Sequence, residues 1–443
     1  MKKLFTGGRR KVAAVMAIAL VASLSQVTTS GASGASTPKR GGNITVGVFD
    51  SFPGFCMADN LANSALMGGR TIYETWVEQR ADGKIVPYIL KSFESSADYK
   101  TWNLVVRDGI KFHDGSPVDG TALLLNLQAS RGALYLNGLI GKTPKSPSSG
   151  TGAGFSANIA DVIQTGAMSV TIKLYNAEAN YPDSLYASGR NFVRSIAQIT
   201  GPNCSTVPIG TGAFKYVSHK LTELVVAKNE NYWRKDAAGV QLPYLDSITF
   251  KYVSSATARA NAVRSGSADL AMFASSSDAK QMASLLNDKK VKSQLTGNNY
   301  YPVLGPNLAI APFNDKNARL ALAYGTDQAS YFKARNCTNG RCFGEVRDSI
   351  VGKQNILYNK AGYIKYDLAK AKAAVKAYET ATGKKLEFTI NVAVGDSGGM
   401  DNAKFLVAMW KKAGMTVSIN NSYTSAVLVA KVYPSAGDVA QGK

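Results

Sequence analysis

The run 209–253, IGTGAFKYVSHKLTELVVAKNENYWRKDAAGVQLPYLDSITFKYV, constrains the fold more than any other stretch, because each local signal in it agrees with the next. Gly210 and Gly212 mark a tight turn at its start. Phe214, Tyr216 and Val217 read as one strand and residues 223–228 as a second, so the two make a hairpin. After a polar loop carrying Gly239 and Pro243, Ile248-Thr249-Phe250-Lys251-Tyr252 alternates apolar and polar side chains as a half-buried strand does. Residue by residue this is a sheet with its turns; as a unit it reads as the scaffold of a ligand-binding lobe.

At 443 residues the chain exceeds what one hydrophobic core usually supports, which predicts two or three lobes. Its apolar fraction of 45% is that of a soluble globular protein. The N-terminus carries Lys2, Lys3, Arg9, Arg10 and Lys11, and the apolar run 12–24 is shorter than the roughly 20 residues of a spanning helix. Small residues follow, with Ser30-Gly31-Ala32 and Ser33-Gly34-Ala35 as cleavage sites, so residues 1–35 read as a secretory signal peptide. The residues after Arg9-Arg10 do not extend the twin-arginine pattern, which favours a plain basic n-region. No Cys closes the apolar run, the first being Cys56, so a lipoprotein anchor is not indicated. The mature protein is expected in the periplasm or on the cell surface.

Removing the five basic residues of that n-region, which has no acidic ones, leaves +16 of the formal charge of +21. Such a charge bears on solubility and on attraction to anionic surfaces, not on fold. No basic stripe interleaved with aromatics is present, so nucleic acid is not an expected partner. Four cysteines in an exported chain point to disulfides. Cys337 and Cys342 enclose the turn-rich Thr-Asn-Gly-Arg, which makes them one pair, and Cys56 with Cys204 is the other by elimination. A zinc site would need more than one C-x4-C and the isolated His113 and His219, so no metal is expected.

Several separated motifs share one order: Gly-Thr-Gly-Ala-Phe-Lys at 210–215, Lys-Asn-Glu-Asn-Tyr-Trp at 228–233, Pro243-Tyr244-Leu245-Asp246, and Ala-Val-Arg-Ser-Gly-Ser-Ala-Asp-Leu at 262–270. Arg-Asp-Gly-Ile-Lys-Phe-His-Asp-Gly-Ser-Pro-Val at 107–118 belongs with them, as does Pro87-Tyr88-Ile89-Leu90-Lys91-Ser92-Phe93, where Phe93 stands in place of a Trp. Together they resemble the family 5 extracellular solute-binding proteins of ABC importers, which include oligopeptide-, dipeptide- and nickel-binding proteins. The resemblance implies an α/β fold of the periplasmic-binding-protein type II kind, with two main lobes and an extra subdomain around a cleft. It divides the chain into a central lobe of residues 36–58 and 196–275, an extra subdomain of 59–195, and a second ligand lobe of 276–443. It further implies a monomer without cofactor that captures an oligopeptide or related solute by lobe closure and hands it to the permease subunits of an importer.

The same resemblance nominates ligand contacts. The family carries ligand-lining residues just after its first strand, here Phe49, Asp50 and Ser51, and just after the Asp269-Leu270 step, here Met272 and Phe273. Tyr300, Tyr301 and Asn307 align with a further ligand segment. Asn307 is the better polar candidate of these, since its amide both donates and accepts. Phe49, Tyr300 and Tyr301 read equally as core aromatics. Tyr73, beside Trp76 in a predicted helix over 62–77, is a candidate contact that reads more readily as core. His113-Asp114 is explained by an Asp-Gly turn without chemistry.

Other stretches are organisational. Residues 141–154, GKTPKSPSSGTGAG, are a Gly-, Ser- and Pro-rich surface loop, and without a following Lys-Ser/Thr they do not cradle phosphate. Toward the end, Asp367 caps an Ala- and Lys-rich helix, Phe388, Ile390 and Val392 alternate as a strand, and Phe405, Met409 and Ala413 mark a helix face ended by Gly414. With a strand over 415–419, this order predicts a parallel pair. Gly395-Asp396-Ser397-Gly398-Gly399 matches the nucleophile motif of trypsin-like proteases and supplies the competing reading, a secreted serine hydrolase. A serine nucleophile needs a histidine base and an orienting carboxylate. Neither of the two histidines lies in the Ala-Ala-His-Cys context, so no catalytic residue is assigned. The family continues beyond the point where this sequence stops, with an Asp-bearing ligand segment and returning strands. The expectation is therefore a second lobe incomplete at its C-terminus and an uncovered edge on the sheet of residues 209–253.

Overall fold

A computed structural model describes residues 38–52, 54–55, 63–131, 156, 158–201, 204–273, 278–294, 305–349, 353, 358–394, 397–423 and 428, without the side chains of 63–65, 188 and 397. The predicted signal peptide, the loop 141–154 and the last residues lie outside that set. The elements below all belong to one unit, residues 40–443.

Strand β1 (Asn43–Val48) buries Val46 and Val48. The helix Asn63–Ile72 follows, and it stops short of the length predicted: Tyr73 and Trp76 lie beyond its end, both almost fully buried. A short antiparallel pair, β2 (Val77–Gln79) and β3 (Ile85–Pro87), leads to β4 (Leu90–Ser95) and β5 (Thr101–Val106). The helix Gly120–Ser130 begins where Asp119 accepts a hydrogen bond from the Ala122 amide at 2.8 Å, a side-chain cap for an otherwise orphaned N–H. Strands β6 (Ile159–Gly166) and β7 (Ser169–Leu174) then complete a four-stranded antiparallel sheet in the order β4-β5-β7-β6. Trp102, Leu104 and Val106 alternate into its core, as the period of two requires.

The stretch 209–253 folds as its alternation predicts. Strands β8 (Phe214–Lys220), β9 (Glu223–Lys228) and β10 (Ser247–Tyr252) form an antiparallel meander. β10 pairs in parallel with β1, and β1 in parallel with the two-residue β11 (Leu270–Ala271), giving the order β11-β1-β10-β9-β8. β11 is thus only a short edge beside β1, and Met272 and Phe273 lie just past its end. Gly210 and Gly212 have a reason beyond turning. A Cβ on Gly210 would meet the Ile72 carbonyl oxygen at 2.2 Å, and one on Gly212 the Thr71 oxygen at 2.5 Å. Only glycine lets the chain cross the end of the helix Asn63–Ile72 so closely.

The final segment has its own core. The helix Lys316–Gly325, capped by Asp315, packs with the helix Leu368–Thr382, capped by Asp367. β14 (Glu387–Asn391) and β15 (Thr416–Asn420), numbered after the small antiparallel pair β12 (Cys337–Thr338) and β13 (Arg341–Cys342), run parallel as predicted, joined by the helix Ser397–Lys412. Trp410 fills the space between them at 1% exposure and donates to Thr326 Oγ1 at 2.9 Å. Gly414 ends that helix in the left-handed region, φ +98°.

Candidate ligand-binding site

Parallel strands leave their carboxyl ends on one edge, and in open α/β sheets ligands bind outside such ends. β1, β10 and β11 meet this condition. The Met272 amide donates to the Gly47 carbonyl and the Val253 amide to the Val48 carbonyl, each at 2.9 Å, so the first residues past all three strands stand side by side. Three positions nominated from the sequence are therefore brought together: Phe49, Met272 and Phe273. They surround Arg259, which the helix Ala256–Ser265 presents from behind. That helix starts where Ser255 Oγ accepts the Ala258 amide, and it ends at Gly266 with φ 75°.

Arg259 is 1% exposed, and its fork is spent on the protein. Nε donates to the Met272 carbonyl at 2.9 Å, Nη1 to the carbonyls of Val253 at 2.6 Å and Ser254 at 2.9 Å, and Nη2 to the Asp278 carboxylate. The guanidinium carbon lies 5.3 Å from the centre of the Phe273 ring and 5.8 Å from that of Phe49, within cation–π range. Asp278 is also buried, and removing either member of such a pair leaves an uncompensated charge costing about 3–5 kcal/mol. Both aromatics stay half-buried, as does Asp50. Sequence reasoning missed Arg259 and Asp278. Arg259 shares a helix rich in alanine with the exposed Arg264, and nothing in composition separates the two.

The other nominated residues fall elsewhere. Tyr73 is core: it is 1% exposed, stacks on Phe192 with ring centres 5.0 Å apart, and exchanges hydrogen bonds with Gln198. Burial pushes its hydroxyl up to about 12, so it stays protonated. Asn307 is exposed, and its Oδ1 accepts the Ala309 amide at 3.0 Å, a local turn bond. Tyr300 and Tyr301 lie outside the described residues. Cys337 and Cys342 form the expected disulfide across β12–β13. Cys204 is buried and disulfide-bonded, while Cys56 lies outside the described residues.

A second buried charge organises the framework. Glu74 Oε1 accepts from the Tyr88 and Tyr232 hydroxyls, both at 2.6 Å, and Oε2 from Trp233 Nε1 at 2.8 Å. Arg234 donates to the Tyr88 hydroxyl at 2.9 Å and lies over the rings of Tyr88 and Trp233. Burial raises the Glu74 carboxyl above its ordinary range, and the hydrogen bonds from Tyr232, Tyr88 and Trp233 oppose this. The Asn-Tyr-Trp part of the 228–233 motif is thus explained as framework. His113 is likewise engaged: Nε2 meets the Gly212 carbonyl at 3.0 Å, and burial brings its pKa down to about 4. His219 Nδ1 lies 3.3 Å from the Tyr216 hydroxyl. Of the serine-protease motif, Ser397 opens the helix Ser397–Lys412, while Gly395, Asp396 and the Ser397 side chain lie outside the described residues. Among the described residues no cluster of three or more His, Cys, Asp or Glu could hold a metal ion, and no helix is long and apolar enough to cross a membrane.

Residues 84–440 match the family described as bacterial extracellular solute-binding proteins, family 5 middle. The chain belongs to the family 5 bacterial extracellular solute-binding proteins. Among family 5 relatives, the nickel-binding periplasmic protein of Escherichia coli is 27% identical over 376 residues, which is 80% of this chain and 67% of that one. The oligopeptide-binding protein OppA of Bacillus subtilis is 24% identical over 422 residues, 89% of this chain and 73% of that one. Glutathione-binding proteins GsiB are matched over only about half of their length. The fold is that of solved periplasmic binding proteins: the ABC transporter-associated periplasmic binding protein DppA from Helicobacter pylori, in complex with the peptide STSA, superposes with a TM-score of 0.70 at 20% identity, covering 88% of this chain and 75% of that one. The α/β architecture of type II periplasmic binding proteins expected from the motifs is therefore the one found.

Proposed function

We propose that this family 5 protein is exported by its residues 1–35, captures an extended peptide between two lobes, and delivers it to the permease subunits of an ABC importer. The observation that carries the reading is the meeting of Phe49, Met272 and Phe273 at the carboxyl edge of β1 and β11, two segments far apart in sequence that share one rim. In the proposed division, residues 36–58 with 196–275 form the lobe that owns this rim, 59–195 an extra subdomain, and 276–443 the facing lobe, carrying Tyr300, Tyr301 and Asn307. Each lobe alone contacts part of the ligand, so a ligand that bridges them stabilises the closed arrangement by its differential contacts. Bonds to peptide backbone would give affinity with little side-chain selection. The protein works as a monomer outside the cytoplasmic membrane, and binding without covalent chemistry makes the serine hydrolase reading unnecessary.

The nickel-binding relative supports a second reading, capture of a metal chelate. Isothermal calorimetry distinguishes the two, with alanine peptides of two to five residues in one series and nickel(II) with histidine in the other. Heat with peptides and none with the chelate is the expected result; binding of the chelate alone would overturn the peptide reading.

A further inference from the structure

Arg259 is among the largest fully buried side chains of the described residues, and its contacts converge on the rim where β1, β10 and β11 end. It reaches the residue past β10 (Val253), the residue past β11 (Met272), the cap of the helix Ala279–Leu286 (Asp278) and the rings of Phe49 and Phe273. Its stem runs along β1, with Cγ 3.8 Å from where a Cβ would stand on Gly47. We propose that Arg259 is a positioning residue of the ligand site: Asp278 fixes the guanidinium, and the guanidinium fixes the paired aromatic wall of Phe49 and Phe273. This rests on the solute-binding reading given above.

Two features decide between positioning and direct contact. Arg259 is 1% exposed, and its donors already end on three carbonyls and one carboxylate, so its positive charge is neutralised before any ligand arrives. Planarity is what the arrangement uses. A guanidinium serves in-plane acceptors at its edge and aromatic rings at its face, which an ammonium cannot do together. The wall offered to a solute is then made of half-buried rings and the Met272 thioether, surfaces suited to the apolar side chains or flat amide planes of a ligand rather than to its anionic end.

The test compares wild type, Arg259→Lys, Phe273→Leu and the double variant at a temperature where circular dichroism shows all four folded. The probes are alanine tetrapeptide, its C-terminal amide, and nickel(II) with histidine. Arg259→Lys is expected to weaken the bound probe about tenfold, equally for free acid and amide, and the Phe273→Leu loss to shrink in the Arg259→Lys background, the non-additivity of contacting residues. Affinity within twofold of wild type overturns the proposal, as does a loss confined to the free acid, which would make Arg259 a direct anion partner. If Arg259→Lys does not fold, Asp278→Asn takes its place with the same criteria. If wild type binds none of the probes, the choice of solute falls, and hydrogen exchange decides the positioning role by itself. Segments 47–50 and 270–273 must then exchange faster in the variant than in wild type while β4 and β5 do not; unchanged exchange overturns the proposal.

Discussion

Glu74 offers the sharpest test of how the framework is held. Glu74→Gln keeps the shape and one carbonyl oxygen, which can still accept from the Tyr88 and Tyr232 hydroxyls that lie 2.6 Å from Oε1. Its amide nitrogen must then face Trp233 Nε1, which stands 2.8 Å from Oε2, so two donors meet and a charge-assisted bond is lost. A buried donor left without its acceptor costs about 1–3 kcal/mol, and relief from burying a charge offsets part of that. The net expectation is a loss of about 1–2 kcal/mol at neutral pH, read by urea unfolding followed by tryptophan fluorescence. Two further outcomes follow from the cause. Trp233→Phe removes the clashing donor, so the double variant should be less destabilised than the sum of the singles, with a coupling of about 0.5–3 kcal/mol. The pH dependence also has a definite sign. Burial raises the folded-state value of Glu74. As pH rises, the unfolded chain therefore loses this proton before the folded one does, and stability falls between the two values. Acidification through that window should widen the stability gap between wild type and Glu74→Gln. A gap that narrows on acidification, or strict additivity with Trp233→Phe, would refute the account of Glu74 as a buried carboxylate held by three donors.

His113 titrates with the opposite consequence. Its folded value is held near 4 by burial, so the unfolded state takes up the proton first as pH falls below the ordinary value of 6.5, and stability is lost across that interval; His113→Gln should flatten this limb in the same urea series, and an unchanged limb would show that His113 is not its source. Gly210→Ala places a Cβ against backbone, 2.2 Å from the Ile72 oxygen, and should destabilise by about 1–3 kcal/mol in thermal or urea unfolding, whereas Gly239→Ala meets no atom within 4 Å and should cost mainly the strain of its φ of +80°. Cys337 and Cys342 close a loop of sequence separation 5, for which chain entropy gives about 2 kcal/mol, so Cys337→Ser with Cys342→Ser should lower stability by no more than that, with the wild-type response to dithiothreitol as the check.

Much of the framework was legible because its signals are local. The alternation in 209–253, the cap Asp367 and the αL glycine at 414 each act over a few residues, and each element they predict is present. The parallel β14–β15 pair was legible for the same reason, since a strand, a helix and a strand in close succession leave little choice of pairing. The helix expected over 62–77 ends early because Tyr73 packs into the core of the five-stranded sheet and Trp76 into that of the four-stranded sheet, a divergence that one helix face cannot serve and that periodicity does not carry. The disulfide across Cys337 and Cys342 needed only a turn.

The buried charges of Glu74 and Arg259 were not legible, and the physical reason is the same for these two. Glu74 sits in the run Tyr73-Glu74-Thr75-Trp76, and Arg259 among alanines; their partners are supplied by Tyr232 and Trp233 in one case and by Asp278 and the ends of three strands in the other. A charge is placed in a core only when distant segments bring its full set of hydrogen bonds, and that set is invisible until the chain has folded. The two charges also divide the work. Glu74 ties the 228–234 turn to the segment before β2, so the stretch 209–253 is anchored as framework. Arg259 ties the outgoing ends of β1, β10 and β11 to each other, which moves the candidate ligand surface off that stretch and onto its rim. The polar contents of the stretch, Tyr232, Trp233 and Arg234, are already committed to Glu74 and Tyr88, so a ligand contacting them would have to break bonds to a buried carboxylate. The half-buried rings of Phe49 and Phe273, fixed from behind, can meet a ligand without any such loss.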